Sequence, residues 1–161
     1  MDDLDLAAAQ FVLARSGDMP LLLSLVQEYY AYDQHPDEGD RTYQALSILL
    51  DQPHLGLIWL IEIAQKKVGY MVLTFGFSLE AGGLEACIDE LYIQPSYRQR
   101  GLGQKALVWM EATCQARDVR VIYLEVERHN AIAQHLYKKV GYVDKNRFLM
   151  TKDLQDGSRK L

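Results

Sequence analysis

Cysteine and basic charge are both scarce in this sequence of 161 residues, and no long apolar run occurs in it. Cys87 and Cys114, the two cysteines, are far apart and form no Cys-x-x-Cys pair, so they predict reduced thiols and a cytoplasmic protein rather than a disulfide framework. No secretory segment is recognisable before Phe11. The longest apolar stretch, Leu55 to Ile61, is much too short for a membrane span, and no membrane association is expected. Lys and Arg number 17 against 22 Asp and Glu, and the net charge of -5 argues against a nucleic-acid surface, which needs a basic stripe. The 4 histidines are scattered, and His129 and His135 would fall on different sides of a helix, so no metal site is expected.

What is present suits one globular domain. Hydrophobic residues make up 49% of the chain, enough for a sizeable core, and a single domain over 1–161 is expected, with its core at about 11–154 and a polar tail at 155–161. Phe11 to Arg15 predicts a strand. Leu22, Leu25, Val26 and Tyr29 recur at helical spacing in a first helix ending near Asp33 to Pro36, and a second helix covers about Asp40 to Leu50. Leu55 to Ala64 and Lys67 to Phe77 predict an antiparallel hairpin, and Ala86 to Ile93 a third strand of the same meander. A helix over Gln104 to Arg117, a strand over Val119 to Glu127 and a helix over Asn130 to Val140 follow, with Gly141 as the stop. Tyr142 to Asp144 and Phe148 to Lys152 predict a last hairpin. The order implies an α/β protein with a mixed, mostly antiparallel central sheet of about six or seven strands flanked by helices.

Arg98-Gln99-Arg100-Gly101-Leu102-Gly103 lies between a strand and a helix. Two glycines let the backbone turn tightly, and the first amides of a helix have no partner within it, so the turn can cradle a phosphate. Arg98 and Arg100 add positive charge. A Walker loop is absent, and the segment Gln94 to Arg100 separates the glycines from their strand, unlike the dinucleotide fingerprint. Asn130 and Tyr137 stand two helical turns apart, about 10.5 Å along one face, so one can bind a ligand while the other reacts. Asn130 also reads as a helix cap, and Tyr137 as a core residue on the stripe with Ala133 and Val140.

Together the glycine turn and Asn130-Ala-Ile-Ala-Gln-His-Leu-Tyr137-Lys-Lys-Val-Gly141-Tyr142 resemble the GNAT superfamily of acyl-CoA-dependent N-acetyltransferases. Arg98 to Gly103 matches the pattern Gln/Arg-x-x-Gly-x-Gly/Ala. Asn130 to Tyr142 matches the later pattern with tyrosine in place of phenylalanine, and Arg100 stands where the family often has glycine or lysine. The resemblance implies a GNAT-like fold and acetyl-CoA as co-substrate, without a metal. It further implies that backbone groups of Leu91 and Ile93 pair with the pantetheine arm, that amides from Arg98 through Gln104 hold the pyrophosphate, that Asn130 bonds the cofactor and that Tyr137 is the general acid to the thiolate. Transfer would then be direct, from acetyl-CoA to a primary amine on a small molecule or peptide. Such domains are often homodimers.

An alkyl ammonium must lose a proton before it attacks, which adds about 4 to 5 kcal/mol at neutral pH. Asp89 and Glu90 are the candidate bases; strand alternation sends them to opposite faces, so only one reaches the cleft, Glu90 by preference. The acceptor site is expected in the first two helices and their connection, at Glu28, Tyr29, Tyr30, Tyr32, Asp33, Asp37 and Glu38, since aromatics and carboxylates suit a cation. A noncatalytic acyl-CoA sensor is the alternative, and a free-nucleotide-binding regulatory domain a further one.

Overall fold

In a computed structural model, describing residues 9–34, 36 and 39–154, five strands form a single sheet in the order of the chain. The expected polar tail, Asp37 and Glu38 lie outside the described residues. Strand β1 (Gln10–Leu13) leads into helices α1 (Met19–Asp33) and α2 (Gly39–Asp51), and then come β2 (Gly56–Ile63), β3 (Lys66–Ser78) and β4 (Gly83–Ile93). Helix α3 (Leu102–Ala116) carries the chain to β5 (Val121–Leu124), and α4 (Ala131–Lys139) follows. Strands β1 through β4 are antiparallel neighbours, whereas β5 pairs parallel to β4, as a helical crossover allows.

Each face of the sheet has its own core. Leu22, Leu25 and Val26 of α1 and Leu46 of α2 pack on Ile58, Leu60, Tyr70, Val72 and Tyr92. Leu102, Ala106, Leu107, Met110 and Cys114 of α3 pack on Trp59, Ile61, Met71, Leu73, Ala86 and Ile88. Both layers explain why β2 and the first half of β3 read as near-continuous apolar runs: they are covered on both sides.

Strand β4 changes faces partway along. Val72 pairs with Glu90 and Leu73 with Ile88, so Asp89 is an extra residue with no partner on β3. Before this bulge Ala86 and Ile88 face α3; after it Tyr92 faces α1 and α2. Pairing with β5 covers Glu85 to Ile88 and stops there. From Asp89 to Ile93, β4 therefore has β3 on one side and no strand on the other among the described residues.

Among the described residues the sheet has five strands, not six or seven. Tyr142 to Asp144 and Phe148 to Lys152 form no ladder, and β5 is shorter than Val119 to Glu127. The apolar pattern after Gly141 favours a strand, but pairing requires a partner edge, and this segment instead leaves Val143, Phe148, Leu149 and Met150 exposed.

Candidate active site

The glycine turn stands at the open end of β4. Gln94 remains tied to β3 through its amide, which donates to the Val68 carbonyl at 2.9 Å, and a single 3-10 turn, Pro95–Tyr97, leads out of the strand. Gln99 and Gly101 take left-handed φ values of 60° and 80°, and an added Cβ on Gly101 would meet nothing within 4 Å. The first bond of α3 runs from the Lys105 amide to the Gly101 carbonyl at 3.1 Å, so the amides of Leu102, Gly103 and Gln104 precede the helical ladder and point out of its N-terminus. Leu102 anchors the turn with a buried side chain, while Gln99 and Arg100 are exposed.

Arg98 is placed differently from the expected phosphate cradle. Its amide donates to the Pro95 carbonyl, its Nε donates to the Ile93 carbonyl at 2.6 Å, and its guanidinium lies 4.3 Å from the Tyr32 ring centre and 5.5 Å from that of Tyr92. Cation–π attraction thus holds this charge against α1 rather than over the start of α3.

Gly103 brings the second motif to the first. A Cβ there would come within 3.0 Å of Leu136 Cδ2, so its absence lets α4 pack against the N-terminus of α3. Asn130 caps α4, its Oδ1 accepting from the Ala133 amide at 3.1 Å. Tyr137, half-buried, packs edge-on to Tyr142 with ring centres 6.0 Å apart, and burial raises its pKa above the usual tyrosine value, which keeps its proton on.

On the opposite face of β4, Glu90 is held by two hydroxyls: Tyr30 donates to Oε1 at 3.1 Å and Tyr70 to Oε2 at 2.6 Å. Burial first, and then the Glu90 charge, raises the pKa of both tyrosines, so both remain donors. Asp89 also reaches this side because of the bulge. Strand alternation alone sends the two carboxylates to opposite faces; one inserted residue cancels it, and both Asp89 and Glu90 line a pocket walled by Val26, Leu46, Leu49 and Val72. Part of Asp89 is open to solvent, yet the protein around it desolvates the carboxyl and raises its pKa.

Tyr29 links the two halves of the site. Its pKa is raised by burial and then by Asp33, Glu90, Tyr137 and Asp89, in falling order, which places those groups within electrostatic reach of one hydroxyl. Glu28 stands apart: Tyr92 donates to it at 3.2 Å, and Gln94 Nε2 lies 3.0 Å from Oε2 and 3.2 Å from Oε1. Tyr70, Tyr92 and Gln94 escaped the sequence reading. The available signal was tyrosine inside strands on the α1 side, since a buried phenol usually finds a partner.

Burial pushes both cysteine thiols up to about 11, with Asp89 adding to the shift at Cys87, so neither supplies a thiolate nucleophile near neutral pH. Among the described residues no group of three His, Cys, Asp or Glu side chains is placed to hold a metal ion, and no helix is long and apolar enough to cross a membrane.

The same fold occurs in known proteins. An integron cassette protein from the mobile metagenome of Cole Harbour Salt Marsh superposes with a TM-score of 0.81 at 34% identity, over 90% of both chains. A "predicted acetyltransferase with acetyl-CoA" from Clostridium acetobutylicum shares the fold at a TM-score of 0.76 and 18% identity, over 89% of this chain and 96% of its own. A ribosomal protein bS18-alanine N-acetyltransferase from Haemophilus ducreyi is 34% identical over 79 residues, which cover 47% of this chain and 52% of that relative, so the match spans about half of its length. The acetyltransferase (GNAT) family pattern matches residues 19–142, which include the glycine turn, both carboxylates and the α4 motif, and the chain belongs to that family.

Proposed function

We propose that this protein transfers an acetyl group from acetyl-CoA directly to a primary amine. The observation that carries the reading is that one strand, β4, runs from two acidic residues lining a pocket to a turn whose helix-start amides have no partner within the helix. Acetyl-CoA fits the residues present. Leu91 and Ile93 lie on the part of β4 that β5 does not cover, where backbone groups can pair with an extended amide-bearing arm, the Ile93 carbonyl already accepting from Arg98 Nε. Amides from Gln99 to Gln104 suit a pyrophosphate, the Arg98 amide being bonded to Pro95, and the open space at Gly101 admits it. Asn130, already the α4 cap, would add a contact to the cofactor.

Acetyl-CoA would supply a thioester carbonyl open to attack by an amine. Asp89 would accept the ammonium proton, directly or through water: it lines the pocket, and desolvation raises its pKa, which makes its carboxylate a better base than that of an ordinary aspartate. Glu90, fixed by Tyr30 and Tyr70, would hold the ammonium in place. Tyr137 would give its proton to the departing sulfur. The high thiol pKa values favour direct transfer over an acyl-cysteine. The Haemophilus ducreyi relative is named for acetylating an alanine, in keeping with an amine acceptor.

Calorimetric titration with acetyl-CoA, run beside thiol release across an amine panel, tests the proposal. Saturable binding that is lost in Gly101→Glu, with thiol released only when amine is present, is the expected result. Absence of binding, or unchanged binding by Gly101→Glu, removes the cofactor assignment.

A further inference from the structure

We infer that the acceptor is a monoamine with an uncharged hydrocarbon tail, seated between α1 and α2 with its ammonium group at Asp89 and Glu90. The inference rests on the acetyltransferase reading and adds the class of amine.

The pocket lined by both acidic residues is bounded elsewhere by Val26 of α1, Leu46 and Leu49 of α2, and Val72 of β3. Leu46, Val26 and Val72 are core residues, so these walls are fixed by the packing of the α1–α2 layer. A cationic head and an apolar body meet complementary surroundings in such a space. Other amines fare worse. An acceptor carrying its own carboxylate brings that charge into a pocket that already holds Asp89 and Glu90. A diamine places its second ammonium against aliphatic walls, where a charge is costly. A peptide presents amide groups to walls whose polar members beyond the carboxylates are Tyr30, which donates to Glu90, and the buried Thr42.

Ala45 lines the same pocket from α2 yet is exposed, so it can be enlarged without disturbing the core. Ala45→Trp is therefore a rim variant that shortens the space for a tail and leaves the carboxylates alone.

The test compares kcat/KM for n-pentylamine, ethylamine, 1,5-diaminopentane, 5-aminopentanoate and a peptide beginning with alanine, in the full chain saturated with acetyl-CoA. Pentylamine should lead the diamine, the amino acid and the peptide by about tenfold or more, and should lead ethylamine by about threefold per added methylene. Ala45→Trp should lower kcat/KM for pentylamine about tenfold and leave ethylamine within about twofold. Preference for the diamine, amino acid or peptide overturns the inference and leaves the acetyltransferase reading standing, as does a flat response to tail length. Failure to acetylate any of the five amines, with acetyl-CoA bound, overturns both.

Discussion

Tyr70 lies on β3 with no exposed surface, and its hydroxyl donates to Glu90 Oε2 at 2.6 Å across the sheet. The bond ties a core residue to a pocket carboxylate. Tyr70→Phe keeps the ring and the packing but deletes the donor, leaving one Glu90 oxygen without it in partly buried surroundings. The expected cost is about 1–3 kcal/mol, seen as a fall in melting temperature of about 2–4 °C per kcal/mol. The Michaelis constant for the amine should rise severalfold and that for acetyl-CoA should not. An unchanged melting point together with an unchanged amine KM would show that the Tyr70 bond neither stabilises the fold nor places Glu90.

Asp89 makes stability and activity depend on pH in opposite senses. Burial raises its pKa from the ordinary 3.8, so the folded state holds the proton more tightly than the unfolded chain. Its contribution is fully present below the unfolded pKa and is lost as pH rises through the raised folded value. Asp89→Asn should accordingly gain on the wild type in melting temperature as pH climbs towards 7, with the gain vanishing near about pH 3. Catalysis needs the ionised form, so the acid limb of kcat/KM should fall about tenfold per pH unit below the raised value and disappear in Asp89→Asn, alongside a lower rate. Retention of the wild-type limb in Asp89→Asn, and its loss in Glu90→Gln, would transfer the role of base to Glu90.

Tyr137→Phe should lower turnover by about a hundredfold, the scale of a positioned general acid, with the Kd for acetyl-CoA held within about threefold. The two parameters separate chemistry from packing. A loss confined to cofactor affinity would mean that the phenol packs the site rather than protonating the sulfur.

Most of the frame and part of the site were legible in the residues. The three- and four-residue recurrence of Leu22, Leu25 and Val26 and the apolar runs of β2 and β3 specify elements whose core faces are the observed ones. The glycine turn and Asn130 carried local signals, a helix start and a cap, that their neighbours in the chain suffice to satisfy. Asp89 was harder. Its bulge exists only in the pairing of β4 with β3, and no property of Asp89 or Glu90 announces a missing partner on another strand. The Phe148 to Lys152 segment differs for the converse reason: its residues favour a strand, but no edge among the described residues pairs with them. The turn of Arg98 towards Tyr32 likewise depends on a contact between positions distant in sequence.

Gly103 offers a test of whether the spacing between α3 and α4 matters for the reaction. It is the second residue of α3, where alanine favours the helix by about 0.5–1 kcal/mol, but a Cβ would sit 3.0 Å from Leu136 Cδ2. The two effects oppose each other in Gly103→Ala, and the melting temperature should move by no more than about 2–3 °C. Turnover should respond more strongly, because Leu136 yields by moving and Tyr137 follows it on the same helix; displacement of a reacting group by as much as 1 Å can cost about a hundredfold. A smaller shift of a few tenths of an ångström should cost about tenfold. Leu136→Ala removes the obstructing methyls, so the double variant Gly103→Ala, Leu136→Ala should recover turnover relative to Gly103→Ala while melting lower than the wild type, since partly buried aliphatic contact is lost. Steady-state thiol release on the four proteins of this cycle measures the coupling. Additive effects on turnover would show that the contact between the glycine turn and α4 does not set the position of Tyr137, whereas recovery in the double variant ties the close packing at Gly103 to the placement of the acid.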